Sequence, residues 1–167
     1  MGIFSRFVKS GKSTGKSGKD SQDFSYIYEI AELISDNDTK IKSLLSQNGS
    51  TKVSDTDALW LDMTEKLEEY GYAFSIDYKA ELEDFLWSLE QLKSYSLIEA
   101  CVSSLKLNPE MDIDAWGEEI NLALSGKAYV CTIDTDSDSY GIIIVTEKIL
   151  EKISSIAESH GREIYDF

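Results

Sequence analysis

Apolar residues recur with helical spacing from Phe24, where Phe24, Ile27, Ile30, Ala31 and Ile34 share one face and predict a first helix. A short helix over about 38–47 follows and stops at Asn48-Gly49. Ser54-x-x-Asp57 has the form of a capping box and opens a helix to Tyr70, with Gly71 as its left-handed terminator. Tyr72, Phe74 and Ile76 then alternate as a strand. The run 79–93 returns to helical spacing, and a further helix covers about 96–106 until Asn108-Pro109 breaks it. Asp112 caps a helix through Leu124 that Gly126 closes. Tyr129, Cys131 and Ile133 alternate again, Gly141 to Val145 reads as a buried central strand, Thr146 caps a helix to His160, and Ile164 to Phe167 is a short last strand. Residues 127–145 thus form a hairpin. The pattern predicts an α+β fold with helices packed on a small, mostly antiparallel sheet of three or four strands.

Two of these helices contrast at 100° per residue. On 54–70, Leu59, Trp60, Met63, Leu67 and Tyr70 share a face opposite Asp62, Glu65, Glu68 and Glu69, which makes Trp60 core. On 79–93 the buried stripe is Leu82, Phe85, Leu86, Leu89 and Leu92, whereas Trp87 points nearly opposite, among Glu83, Asp84, Glu90 and Gln91. An aromatic ringed by carboxylates suits a binding hot spot for an Arg- or Lys-rich partner. The alternative is that the segment 96–116 folds over it. Trp116 is open between core and rim.

Charge divides the 167-residue chain. Of 16 Lys and Arg residues, Arg6, Lys9, Lys12, Lys16 and Lys19 precede the first acid, and all 31 Asp and Glu follow, so residues 20–167 carry a net charge of −20. Such a surface repels phosphate backbones, which argues against nucleic acid as a partner, and favours a basic protein. With 42% hydrophobic residues, the acidity reads as the surface of one folded domain, 24–167. Residues 1–23 read as a basic flexible tail because the Gly/Ser/Lys tract 9–23 cannot bury enough to order itself. Gly15-Lys16-Ser17 imitates a phosphate loop, but Ser10 stands where its first glycine belongs. Ile3, Phe4, Phe7 and Val8 form a weak apolar face that suits a membrane-surface or docking helix. No apolar run approaches the roughly 20 residues of a membrane span. Two cysteines, Cys101 and Cys131, in apolar runs fit reduced thiols and a cytoplasmic location.

Asp134, Asp136 and Asp138 alternate as at the start of a calcium loop, but Ser139 replaces the turn glycine and Val145 the closing Glu. An acidic hairpin turn whose side chains bond their own backbone is the simpler reading, so no metal or other cofactor is expected. His160, the only histidine, lies in line with Ile153 and Ile156 and suits packing at a helix C-terminus.

The segments Gly71-Tyr72, Asp77-Tyr78-Lys79 and Glu83-Asp84-Phe85-Leu86-Trp87-Ser88-Leu89, with Asp134 to Tyr140, resemble an uncharacterised bacterial domain family over roughly residues 55–160. Its motif residues fall on Asp77, Glu83, Asp84, Trp87, Asp138, Ser139 and Tyr140, and members carry Gly where this chain has Asp136. The resemblance implies a compact cytosolic domain and supplies no reaction. Charge and Trp87 together lead to a protein-binding module, an immunity or inhibitor protein that neutralises a basic bacterial toxin such as a nuclease. Trp87, Glu83, Asp84, Glu90 and Asp77 would form its anchor, and Asp134, Asp136, Asp138 and Tyr140 a second patch, with no catalytic residue assigned. The competing reading is a divalent-metal-binding domain or enzyme that uses the same carboxylates.

Overall fold

The computed structural model describes residues 24–48 and 55–167. The expected tail 1–23, with its phosphate-loop mimic and apolar face, and the residues Gly49 and Ser54 lie outside them. The elements run α1 (Ser25–Ile34), α2 (Thr39–Asn48), α3 (Thr56–Glu69), β1 (Phe74–Asp77), α4 (Leu82–Glu90), a 3-10 turn (Tyr95–Leu97), α5 (Glu99–Val102), α6 (Ile113–Leu124), β2 (Tyr129–Ile133), β3 (Ser139–Val145), α7 (Glu147–Ser159) and β4 (Ile164–Asp166). The four strands make an antiparallel sheet in the order β1-β3-β2-β4, so the predicted α+β class holds and residues 127–145 are its central hairpin.

Helices cover both faces of that sheet because its central strands are apolar on both sides. Cys131, Ile133, Ile143 and Val145 face a core shared with α1, α2, α3 and α7, where Ile30, Met63, Leu67 and Ala157 are fully buried. Val130, Ile142 and Ile144 face a second core with Phe85 and Leu89 of α4 and Trp116 and Ile120 of α6. Burying one such side chain contributes about 1.5–3 kcal/mol, so the two cores clamp the sheet from opposite sides. Trp116, ambiguous in the sequence, is 2% exposed and belongs to the core.

Several boundaries differ from those expected, each for a local reason. Helix α3 is capped by Asp55, whose Oδ1 accepts the Asp57 N–H at 3.0 Å, one residue after the expected start at Ser54. Its other end is a Schellman motif: Gly71 at φ +72° lets the Tyr72 N–H reach the Leu67 carbonyl at 2.8 Å, which delays β1 to Phe74. Asp77 accepts the Lys79 N–H at 2.8 Å, and this turn postpones α4 to Leu82. The expected helix over 96–106 is broken into a 3-10 turn and the single turn α5, since serine hydroxyls there compete for backbone, as when Ser104 Oγ bonds the Cys101 carbonyl at 2.7 Å. Cys131 is buried and Cys101 partly so, and both are free thiols.

Candidate functional site

Helix α4 packs on β1 through Phe85 and Leu89, which are fully buried, and this turns its Glu83, Asp84, Trp87 and Glu90 face to solvent. Trp87 is 53% exposed, so the segment 96–116 does not cover it. The ring is held edge-on by Phe74 of β1, with centroids 5.3 Å apart. Between them runs a shallow groove of about 410 Å³ whose walls are Phe74, Ser75, Ile76, Asp77, Lys79, Ala80, Asp84 and Trp87. Asp77 and Asp84 therefore share it with Trp87, while Glu83 and Glu90 flank the ring on the same helix and Asp138 is not among the walls. Lys79, the cation in the wall, lies 4.8 Å over the Tyr78 ring. A half-open indole with Asp77 and Asp84 beside it is fitted to a cation or an amphipathic side chain.

The turn Asp134–Asp138 is engaged differently. Asp134 Oδ1 accepts the Asp136 N–H at 2.9 Å, its N–H donates to the Glu163 carbonyl at 3.0 Å, and its carbonyl accepts the Trp60 indole N–H at 2.7 Å. Asp136 stands at φ +54°, a left-handed position that favours glycine and that Asp tolerates through such a turn. Its carboxylate lies 3.9 Å from Arg162, whose side chain is only 12% exposed, pairs also with Asp57 and sits 5.5 Å over the Trp60 ring. The Asp134 carboxylate thus serves the turn, while that of Asp136 stays exposed near Arg162. Asp138 is exposed and lends its carbonyl to the Tyr78 N–H at 3.2 Å. Tyr140 donates its hydroxyl to Asp114 at 3.0 Å and packs on Phe167, tying β3 to α6. Burial first, and the Asp114 carboxylate second, push this phenol up to about 12.

Sequence reasoning missed Arg162, whose position after Gly161 carries no periodic signal, and the exposed edge of β1, which depends on strand order. It also missed a second cavity, of about 650 Å³, between the α1–α2 loop and the start of α7. There the Tyr72 hydroxyl donates to Asp38 at 2.8 Å and Lys93 lies 3.7 Å from the same carboxylate and 4.1 Å over the Tyr72 ring. The backbone N–H of Lys40 and then the Tyr72 hydroxyl hold the Asp38 carboxyl below its usual range. These polar groups complete one another. His160 stacks on Tyr26 with centroids 3.8 Å apart, as expected of a packing role at the end of α7. Among the described residues, no group of three His, Cys, Asp or Glu side chains could hold a metal ion, and no helix is long and apolar enough to cross a membrane.

A family model described as a domain of unknown function (DUF6630) matches residues 27–167, most of α1 and everything after it. The chain belongs to that family. The match is longer than the 55–160 suggested by the Asp-Tyr-Lys and Asp-Ser-Asp-Ser motifs, and it takes in both cores, the groove and the Arg162 cluster of this DUF6630 domain. No curated protein and no solved structure matches the chain.

Proposed function

We propose that this domain is an acidic protein-binding module, an immunity-type inhibitor that covers the basic cleft of a toxin such as a nuclease. The observation behind the proposal is Trp87, half exposed on a polar helix face and buttressed by Phe74 between Asp77 and Asp84. Enclosing such an indole removes apolar area from water and strengthens its attraction for a cation, so one residue can supply a large share of the affinity. The charge of −20 on residues 20–167 supplies the approach: a nuclease cleft is basic because it binds phosphates, and opposite fields raise the association rate.

An immunity protein is expected to be encoded beside its toxin, so a basic protein from a neighbouring gene is the partner to test. Expressed alone it should arrest growth, and co-expression of the wild-type domain should restore it. Trp87→Ala, with unchanged melting, should fail to restore growth at equal expression. Absence of rescue by the wild type, or full rescue with unchanged affinity by Trp87→Ala, would overturn the proposal.

A further inference from the structure

The groove beside Trp87 is also the free edge of the sheet, and its backbone groups are countable. The Tyr78 N–H donates to the Asp138 carbonyl at 3.2 Å, and the register pairs Ile76 with Tyr140 and Phe74 with Ile142. Antiparallel ladders alternate between hydrogen-bonded and non-hydrogen-bonded pairs, so residues 78, 76 and 74 point their N–H and C=O at β3, and Ser75 and Asp77 point theirs away. The Asp77 carbonyl is taken by the Ala80 N–H at 3.0 Å. That leaves the Ser75 N–H, the Ser75 carbonyl and the Asp77 N–H without a hydrogen bond among the described residues, along the wall of the groove. At the opposite edge, the Ile164 carbonyl of β4 accepts the Ser154 hydroxyl at 2.7 Å.

We infer that the free edge of β1 takes an extended, basic segment of the partner as an added strand. The inference rests on the Trp87 reading above and names its mode of binding. Side chains of the incoming strand alternate between two faces. On one face they meet Asp77 and Glu68, which is hydrogen-bonded to the Ser75 hydroxyl, so Lys or Arg fits there. On the other face they meet Phe74 and Trp87, so an apolar or β-branched residue fits. The occupant is therefore a short stretch that alternates basic and apolar residues, in the β-addition mode where main-chain bonds give affinity and side-chain pockets give selectivity. A second copy of this chain is the poorer occupant, because edge-to-edge pairing would bring two bodies of −20 together.

The probe is acetyl-Lys-Val-Lys-Val-Lys-amide, titrated into the ¹⁵N-labelled domain at physiological salt, beside twins N-methylated at the lysine or the valine amides. Wild type should bind the parent peptide saturably, and at least one twin should bind about tenfold more weakly, a loss of about 1.4 kcal/mol. Relative to Ser75→Ala, which likewise lacks the hydroxyl bonded to Glu68, Ser75→Pro should lose binding to a similar extent at unchanged melting temperature, since the N–H it removes makes no bond to β3 and proline is tolerated on an edge strand. Should that variant melt lower, the methylated twins decide alone. Parent and twins binding alike, no saturable binding, or self-association of the peptide-free domain through β1 would each overturn the inference. Normal binding by Ser75→Pro with loss in Trp87→Ala removes the added strand and leaves the anchor standing; the reverse removes the anchor and leaves the strand.

Discussion

Two acidic stretches of this chain look alike in sequence and are used in opposite ways by the fold. Around Asp134 and Asp136 the turn is tied to the fold: the Asp134 carboxylate accepts a backbone N–H, its carbonyl accepts the indole N–H of the buried Trp60, and Asp136, itself exposed, lies 3.9 Å from Arg162. Around Asp77 and Asp84 the carboxylates face a groove, and the indole beside them, Trp87, has no hydrogen bond among the described residues. Trp60 and Trp116 each donate to a loop carbonyl at 2.7 Å and are at most 2% exposed, whereas Trp87 is 53% exposed. Each stretch bonds one carboxylate to a backbone N–H, Asp77 to Lys79 and Asp134 to Asp136, so what separates them is the indole, sealed in the core at one and open beside a groove at the other, and charge density along the chain does not reveal which case holds.

The largest effect that could break this comparison is on stability. Trp60→Ala should cost about 3–5 kcal/mol in denaturant unfolding, because it empties a fully buried site and strands the Asp134 carbonyl. Trp87→Ala should change stability by less than about 1 kcal/mol while costing roughly 2 kcal/mol or more of partner affinity by calorimetry, as an exposed anchor does. If both indoles cost the same in unfolding, the two regions are not distinct.

Arg162→Ala should destabilise by about 1–3 kcal/mol, since it removes a guanidinium whose side chain is only 12% exposed, its charge-assisted bond to the exposed Asp57 and its stack on Trp60. Asp84→Lys should leave unfolding nearly unchanged, slow association with a basic partner and flatten its salt dependence, readable by stopped flow at two salt concentrations. A larger kinetic effect from Asp136→Lys than from Asp84→Lys would reverse the assignment of the two patches.

How far the fold was legible follows from the same contrast. Helices α3, α4, α6 and α7 declared their buried faces because each is amphipathic over two or more turns, and the outward direction of Trp87 was arithmetic at 100° per residue. The left-handed turn at Asp136 was readable as a polar hairpin. What could not be read was tertiary: that β1 lies at an edge, that Phe74 meets Trp87, and that Arg162 reaches Asp57 across 105 residues of sequence. The segment 96–106 was misread as one helix because its apolar spacing outweighed its serines, whose hydroxyls bond the backbone locally and leave only a 3-10 turn and the single turn α5.

The smallest expected effect concerns Tyr140. Its folded pKa of about 12 lies above the ordinary 10.0, so the fold favours the neutral phenol. The unfolded chain then ionises first as pH rises: the contribution is fully present below pH 10.0 and is lost toward about pH 12. Tyr140→Phe should flatten that part of the stability profile without altering binding at the Trp87 groove.

The most direct test of the central claim is an amide map. With the ¹⁵N-labelled domain titrated by the alternating Lys-Val peptide at physiological salt, saturable shifts should concentrate at Phe74 to Trp87, with the Ser75 and Asp77 amides gaining protection from exchange. Shifts that concentrate instead at Asp134 to Asp138, with Phe74 to Trp87 unmoved, would contradict it.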